Sequence, residues 1–385
     1  MKATSFYALI VSLTLVSSIK INIVDEDYIE VLVGYPPKAI KLLIDPLAPF
    51  TYLLTTPSSS TVETYDNYEF SNIFGKFSGQ WQSDTFYLTS DKSFGFRLKY
   101  LQVKETNSVF KADGVIGLGY SSTIDQQCSV YSLLENMKDV FKVKRNLSYD
   151  KNKKLLTLGE LPPSDNFNPV VFPMFEGQNN IGPVLNLTAI NFKSHNFYNK
   201  TVVPINSIAK LGLMPIIIAP KDSIQNLEQN YLDQIQTYDS QHELKYNEGK
   251  FYSDYFFTGS DKDITTEFVF DKIAYKFPHS EAKDGKFRSN IRLGDCKQNP
   301  LDFWYIGIDL LNVHRADFVY DDNGESSVKL YSPTAYDVSL TKYYLLWIFS
   351  FFSIVVCVIL GVCLRCCCQK KKQKDIPRSQ ELLDI

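Results

Sequence analysis

The sequence predicts a mainly β protein followed by one membrane-spanning helix. The chain has 385 residues, 44% of them hydrophobic, with 24 Tyr and 27 Phe. Aromatic residues suit the pleated surface of a sheet, and many stretches alternate apolar with polar residues as half-buried strands do. The length leaves room for two β lobes, at roughly 100–200 residues per domain.

The membrane-spanning helix is predicted by a charge-free run near the C-terminus, residues 343–364. This run is long enough to cross a hydrocarbon core of about 30 Å. Trp347 lies where an interfacial aromatic residue is expected, and the cations begin at Arg365. By the positive-inside rule, residues 365–385 form a cytosolic tail of a single-pass type I protein anchored in the lipid bilayer. Residues 333–342 are predicted to be a short stalk.

The N-terminus indicates entry into the secretory pathway. Residues 1–18 combine Lys2, an apolar run and small residues at the end, which is typical of a cleaved signal peptide. We therefore expect a lumenal or extracellular body on an endolysosomal or cell-surface membrane.

Cysteines and sequons fit this topology. Three cysteines follow the membrane run, and their alternative states are S-acylated or free thiols: Cys366, Cys367 and Cys368. The body contains two cysteines that could form a disulfide, Cys128 and Cys296. Three Asn-x-Ser/Thr tripeptides are candidate glycosylation sites: Asn146, Asn186 and Asn199.

Composition argues against several functions. The formal net charge is −3 and the cations concentrate in the tail, so nucleic acid is not an expected partner. The histidines lack metal-ligand spacing, and we predict neither a metal nor a cofactor: His195, His242, His279 and His314. The chain has no Gly-x-Ser-x-Gly element of a serine hydrolase.

The first half of the body predicts strands with one helix. Lys38 to Ile44 is an apolar strand that ends at Asp45. Phe74 to Gly79 is a hairpin tip, and the glycines of Ala112 to Tyr120 suit a closely packed strand. Helical spacing runs from Ser129 to Phe141, and Leu155 to Gly159 is another buried strand.

The second half repeats this order after turn-forming residues near 180. The predicted lobes are therefore residues 19–180 and 181–332. Strands, an apolar run from Leu213 to Pro220, and an amphipathic helix from Ser223 to Asp239 follow in turn. Trp304 to Leu311 and Ala316 to Tyr320 are the last predicted strands, before an Asn-Gly hairpin turn.

The order of these motifs resembles the pepsin-like aspartic peptidases, over roughly residues 27 to 332. Five stretches carry the resemblance: Gly34-Tyr35-Pro36; Ile44-Asp45 with Tyr52 at the family's Trp position; Phe74-Gly75 as the flap; Asp113 to Gly119; and Ile306 to Leu311 with Phe318 to Asp321. The resemblance implies an all-β, bilobal acid protease fold with a cleft between the lobes.

The same resemblance implies a catalytic pair of aspartates, one from each lobe, sharing a proton around one water. Asp45 matches the first aspartate, but Pro46 and Leu47 replace the small and hydroxyl residues that follow it. In the second lobe, Ala219 falls where the other aspartate is expected. The flap reads Phe74-Gly75 instead of Tyr-Gly, so its hydroxyl is missing.

We therefore predict a catalytically inactive member that binds a peptide or protein in its interlobe cleft, as a receptor or adaptor. The alternative is an active aspartic endopeptidase with a divergent dyad, for which Asp222 is the candidate second acid. A structural surface glycoprotein without a cleft ligand is the third possibility.

Overall fold

The computed structural model divides the chain into two units, Met1–Ala335 and Tyr336–Ile385. It describes residues 17–25, 27–57, 61–62, 67–106, 112–120, 132–164, 168–174, 182–193, 200–214, 216–220, 223, 243–247, 252–259, 265–277, 280–281, 287–294, 302–321 and 326–374. Residues 1–16 of the predicted signal peptide lie outside these ranges, whereas Ser18, its predicted last residue, begins a strand. Also outside are the predicted helix after Ser223, the predicted lobe boundary, Asp222, Cys128, Cys296 and Asn199.

The first unit is built on two large sheets, which confirms the prediction of a mainly β protein. The first sheet has fourteen strands. They are β1 (Ser18–Asp25), β2 (Tyr28–Val33), β3 (Lys38–Asp45), β4 (Tyr52–Leu53), β5 (Thr61–Val62), β6 (Tyr68–Asn72), β7 (Gly75–Tyr87), β8 (Gly95–Thr106), β9 (Gly114–Gly117), β10 (Leu147–Asp150), β11 (Leu155–Gly159), β12 (Val170–Pro173), β23 (Arg315–Val319) and β24 (Ser327–Tyr331). Their order is β12-β24-β23-β10-β11-β1-β2-β3-β9-β4-β8-β7-β5, with β6 paired to β7.

The second sheet comes from the second half of the body. It contains β13 (Val184–Lys193), β14 (Lys200–Gly212), β15 (Ile217–Ala219), β16 (Glu243–Asn247), β17 (Tyr252–Gly259), β18 (Thr265–Phe270), β19 (Ile273–Phe277), β20 (Ser280–Glu281), β21 (Phe287–Gly294) and β22 (Trp304–Gly307). Their order is β16-β17-β21-β15-β22-β14-β13-β18-β19, with β20 paired to β21.

Among its described residues, the first unit also contains two short helical elements. Helix α1 (Leu133–Phe141) buries Leu133, Leu134 and Met137, as its spacing predicts, and ends at Lys142 in a left-handed conformation. A 3₁₀ turn (Ile308–Leu311) follows β22 directly.

The two sheets share one arrangement of four strands. In the first sheet, β9 lies between β3, which runs parallel to it, and β4, which runs antiparallel. In the second sheet, β22 lies in the same way between β14 and β15. The fourth strand is β8 beside β4 and β21 beside β15, parallel in both cases. The body therefore contains an internal structural repeat.

A glycine makes the same close crossing in each copy of the repeat. A Cβ atom on Gly117 would lie 2.2 Å from the Phe50 carbonyl oxygen, and one on Gly307 would lie 1.9 Å from the Met214 carbonyl oxygen. In each copy, the loop between the outer strands passes directly over the end of the central strand. Only glycine leaves room for that backbone contact.

Strands from both halves meet in the first sheet, where β23 pairs with β10 and β24 pairs with β12. The completely buried Arg315 lies at this junction and donates two hydrogen bonds to Asp317, of 2.8 and 2.9 Å. Its Nη1 donates to the Pro163 carbonyl oxygen, and Nη2, which also donates to Asp317, donates to the Pro162 carbonyl oxygen. Ser148 and Tyr331 also donate to Asp317, so this charged pair is buried with its hydrogen bonds made.

The second unit contains β25 (Tyr336–Asp337) and helix α2 (Val338–Lys374). Within α2, Trp347–Arg365 is long and apolar enough to cross a membrane, with a mean hydropathy of 2.7 and exposed side chains. This finding supports the predicted membrane anchoring. The structure differs from the predicted stalk, residues 333–342, because helix α2 already begins at Val338. No Pro or Gly separates that residue from the apolar run.

Candidate functional site

Asp45 lies at the C-terminal end of β3, against the central strand of the first repeat. Its backbone pairs with Gly117, and its carbonyl oxygen accepts a hydrogen bond from the Leu118 amide at 2.9 Å. The carboxylate accepts a bond from the Leu47 amide at 2.9 Å, which is an Asx-type turn. Only 4% of the residue is exposed to solvent.

The surroundings of Asp45 favour its neutral form. Burial raises the pKa of Asp45 to about 6, although backbone hydrogen bonds from Leu47 and Ala48 act in the opposite direction. Burial has a larger effect on the pKa of Asp45 than the two backbone hydrogen bonds, so the net change is a rise. A carboxyl group of this kind is protonated in an acidic compartment and largely ionised at neutral pH.

The hairpin formed by β6 and β7 reaches the same site through Tyr52. The Asn72 side chain, at the end of β6, donates a hydrogen bond to the Tyr52 hydroxyl at 3.0 Å and accepts one from the Phe74 amide at 2.8 Å. Burial raises the pKa of Tyr52 well above its ordinary value, and the charge of Asp45 raises it further. Phe74, the predicted flap residue, is 2% exposed and therefore points inward.

The strand register gives the position that matches Asp45 in the second repeat. Asp45 pairs with Gly117 on the first central strand, and Gly212 pairs with Gly307 on the second. Gly212 therefore holds the position in the second repeat that matches Asp45 in the first. A Cβ atom on Gly212 would lie 2.1 Å from the Tyr305 hydroxyl oxygen, so the tyrosine occupies the space of a side chain at that position. The same hydroxyl accepts a hydrogen bond from the Met214 amide at 3.2 Å.

This register differs from the sequence-based assignment of the second position to Ala219. Ala219 is the last residue of β15, where it is completely buried and pairs with Leu293. The apolar residues before Ala219 form β15, which follows the loop of the second repeat. The strand that leads into this loop is β14. The corrected position still carries no carboxyl group, because Gly212 has no side chain.

One apolar cluster joins both repeats and the hairpin. Ala48 and Phe50 come from the first loop, Ile216 from the second, and Ile73 and Phe74 from the turn of the hairpin. Aromatic contacts tighten it: Phe50 lies 5.0 Å from Trp81 and 5.1 Å from Phe70 between ring centroids. The two loops and the turn of the hairpin are therefore packed together in one apolar cluster.

The other residues singled out from sequence are not members of this cluster. Asn146 is 9% exposed, and Asn186 lies within β13 and donates to Asp271 at 3.1 Å. Asp309, in the 3₁₀ turn, forms an ion pair with Lys151 at 2.7 Å. Cys366, Cys367 and Cys368 lie within α2, and the structure describes their backbone alone.

No model of a known protein family matches the chain, and no curated protein is significantly similar to it in sequence. The resemblance to the pepsin-like aspartic peptidases therefore stays a prediction from the order of the motifs.

Proposed function

We propose that this chain is a membrane-anchored, pepsin-like protein that binds a peptide or protein without cleaving it. The observation that carries the proposal is that the position matching Asp45 in the second repeat has no side chain. Gly212 holds the matching place in the second repeat, and the Tyr305 hydroxyl fills the space beside it.

The chemistry of acid proteases explains why this arrangement argues against catalysis. Two carboxylates must share a proton, so that one acts as a base on water while the other acts as an acid. A positioned acid or base contributes about 10²–10⁴-fold to rate, and the position that matches Asp45 in the second repeat carries no carboxyl group. Asp45 is also only 4% exposed, which leaves it little access to water.

The aromatic side chains of the apolar cluster favour a particular class of ligand. Displacement of the hairpin would uncover Phe50, Phe70, Phe77 and Trp81, which are large aromatic surfaces. Strand-lined clefts bind extended chains through backbone hydrogen bonds and take alternate side chains into pockets. We therefore expect an extended peptide segment with large apolar side chains.

The proposed topology follows from the charges beside the apolar helix. Arg365 and the lysines beyond it lie on the cytosolic side by the positive-inside rule, which places the β body in the lumen or outside the cell. An endolysosomal or cell-surface membrane agrees with this orientation.

The proposal is tested with the full chain in detergent micelles and a library of extended peptides with apolar side chains, carrying a photoreactive group, between pH 3 and 7. We expect crosslinks to residues 45–52, 68–82 or 212–218 and no cleavage beyond that of Asp45→Asn. Cleavage that the Asp45→Asn variant abolishes would overturn the inactive assignment. Crosslinks spread evenly over the surface, including α1, would contradict a ligand site in the cleft.

A further inference from the structure

A cavity of about 490 Å³ lies at the C-terminal end of α1. Its described wall runs from the last turn of α1 through the link to β10, and across to the end of β23. Binding sites for small molecules commonly measure roughly 300–1,000 Å³. None of the described wall residues belongs to the apolar cluster that joins the two repeats, so this cavity is a second candidate site.

The wall of this cavity carries more cations than acids. Six charged side chains contribute to it: Lys138, Lys142, Lys144, Arg145, Asp139 and Asp321. Four cations minus two acids leave a surplus of two positive charges, and Glu135, which pairs with Arg145, reduces it to one. Cations stabilise the C-terminal end of a helix, which explains Lys138 and Lys142 without any ligand. Lys144 and Arg145 come after the helix, so that explanation does not extend to them.

Arg145 is held in a fixed orientation at this wall. It is 9% exposed, it forms an ion pair with Glu135 at 2.8 Å, and its guanidinium carbon lies 4.6 Å from the centre of the Tyr120 ring. Lys142 and Lys144 are exposed, and neither side chain has an ion-pair partner among the residues that the structure describes. An oriented guanidinium beside flexible ammonium groups suits an anion with several oxygens, such as a phosphate group.

The same wall contains a buried hydroxyl group. Tyr320 is 5% exposed, and its hydroxyl has no hydrogen-bond partner within the described part of the chain. Burial raises the pKa of Tyr320, so this group stays neutral and does not repel an anion. A buried polar group without a partner is unfavourable, and a polar ligand at this wall would supply one. Asn146, which is 9% exposed, adds a side-chain amide to the same wall.

We propose that this cavity binds a phosphate or sulfate monoester of a small polar molecule such as a monosaccharide. The anionic group lies against Lys142, Lys144 and Arg145, where the positive charge is concentrated. The volume exceeds that of an inorganic anion, so the organic part of the ester fills the remainder. Its hydroxyl groups donate to the carboxylate of Asp321. The site is separate from the proposed peptide site, so either can fail without the other.

Isothermal titration calorimetry of the full chain in detergent micelles tests this site. The probes are glucose 6-phosphate, glucose 6-sulfate, inorganic phosphate and glucose. We expect one or both esters to bind more tightly than inorganic phosphate, and glucose not to bind below about 10 mM. A preference for one ester identifies the anionic group. Failure of both esters to bind, or equal affinity for glucose, would overturn the proposal.

A pair of double variants separates this site from a general effect of charge. Lys142→Gln with Lys144→Gln should weaken binding of the ester roughly tenfold or more, because two charged hydrogen bonds are lost. Lys92→Gln with Lys104→Gln is the matched control, since both lysines are exposed and the change in charge is the same. Lys92 also shares the left-handed backbone of Lys142, with φ values of 60° and 57°. An equal loss of affinity in the two double variants would contradict the site.

Lysine acylation locates the ligand in the unmodified sequence. Each lysine of the full chain is acylated with and without saturating ester, and the extent of reaction is measured by mass spectrometry. We expect the ester to slow acylation of Lys142 and Lys144 and to leave Lys92 and Lys104 unchanged. Protection of other lysines with full reactivity at Lys142 and Lys144 would overturn the proposed position.

Discussion

At the scale of single residues, the most informative feature is a buried carboxyl group. Burial raises the pKa of Asp45 to about 6. Because the folded pKa exceeds the unfolded one, the folded chain binds the proton more tightly. This contribution to stability is complete below the unfolded pKa near 3.9 and is lost as pH rises toward 6 and beyond.

Asp45→Asn should therefore stabilise the body at neutral pH. The expected gain in the free energy of unfolding at pH 7 is up to about 3 kcal/mol, from roughly two pKa units, and it should vanish near pH 4. Denaturant unfolding between pH 4 and 8 measures it, with Asp139→Asn as the matched exposed control. A constant difference between Asp45→Asn and wild type across this range would contradict the assignment.

The contact between Gly212 and Tyr305 gives a second prediction at this scale. Gly212→Ala should destabilise the body by about 1–3 kcal/mol, because the new methyl group collides with the tyrosine ring. Tyr305→Ala makes room, so Gly212→Ala should cost much less in that background. A double-mutant cycle measured by unfolding tests this coupling. Additive effects of the two substitutions would show that Tyr305 does not fill this space.

At the scale of elements, a buried charged pair lies on β23, where strands from the two halves of the body meet. Arg315 and Asp317 lie on β23, and Ser148 on β10 and Tyr331 on β24 complete the hydrogen bonds of Asp317. A buried pair stabilises little by itself, but loss of one partner leaves a charge without compensation.

Asp317→Asn should therefore destabilise the chain by about 3–5 kcal/mol, because it leaves Arg315 buried beside a neutral group. Arg315→Met combined with Asp317→Leu should be less damaging than Asp317→Asn alone. The exposed Lys41–Asp25 pair is the matched control, and Lys41→Met should leave the unfolding midpoint nearly unchanged. An equal loss at both pairs would argue against the role of burial.

At the scale of the whole molecule, the apolar part of α2 gives the chain its membrane anchor. We expect the full chain to remain in the membrane pellet after alkaline extraction. Ile359→Arg places a charge in the middle of this segment, which costs about 2.5–3.5 kcal/mol on insertion scales, whereas Ile359→Leu is a neutral control. Release of the wild-type chain by alkaline extraction would contradict membrane spanning.

Sequence alone predicted the elements better than the site. The strand before Asp45 and the strand at Leu155–Gly159 were predicted to within one residue, because apolar runs between turn formers have few alternative structures. The second catalytic position was assigned wrongly, since Ile217–Ala219 and the end of β14 are both apolar. Only the pairing with β22 distinguishes the strand before the loop from the strand after it.

The packing of Tyr305 against Gly212 and the apolar cluster that joins the two repeats were not predicted from sequence for a related reason. Each depends on contacts between residues far apart in the chain, such as Gly212 with Tyr305. The two loops also differ in length by one residue: Tyr52 follows Asp45 by seven positions, and its counterpart Ile218 follows Gly212 by six.

The pairing of β10 with β23 and of β12 with β24 has a consequence for a chain that has been cut. A break in the backbone between Met174 and Gly182 would leave two fragments that still share the first sheet. The buried Arg315 would keep its bonds to Pro162 and Pro163 across the break. Such a nicked protein should migrate as one particle on a sizing column and separate only in denaturant. The membrane-bound fragment would thus retain its partner after proteolysis.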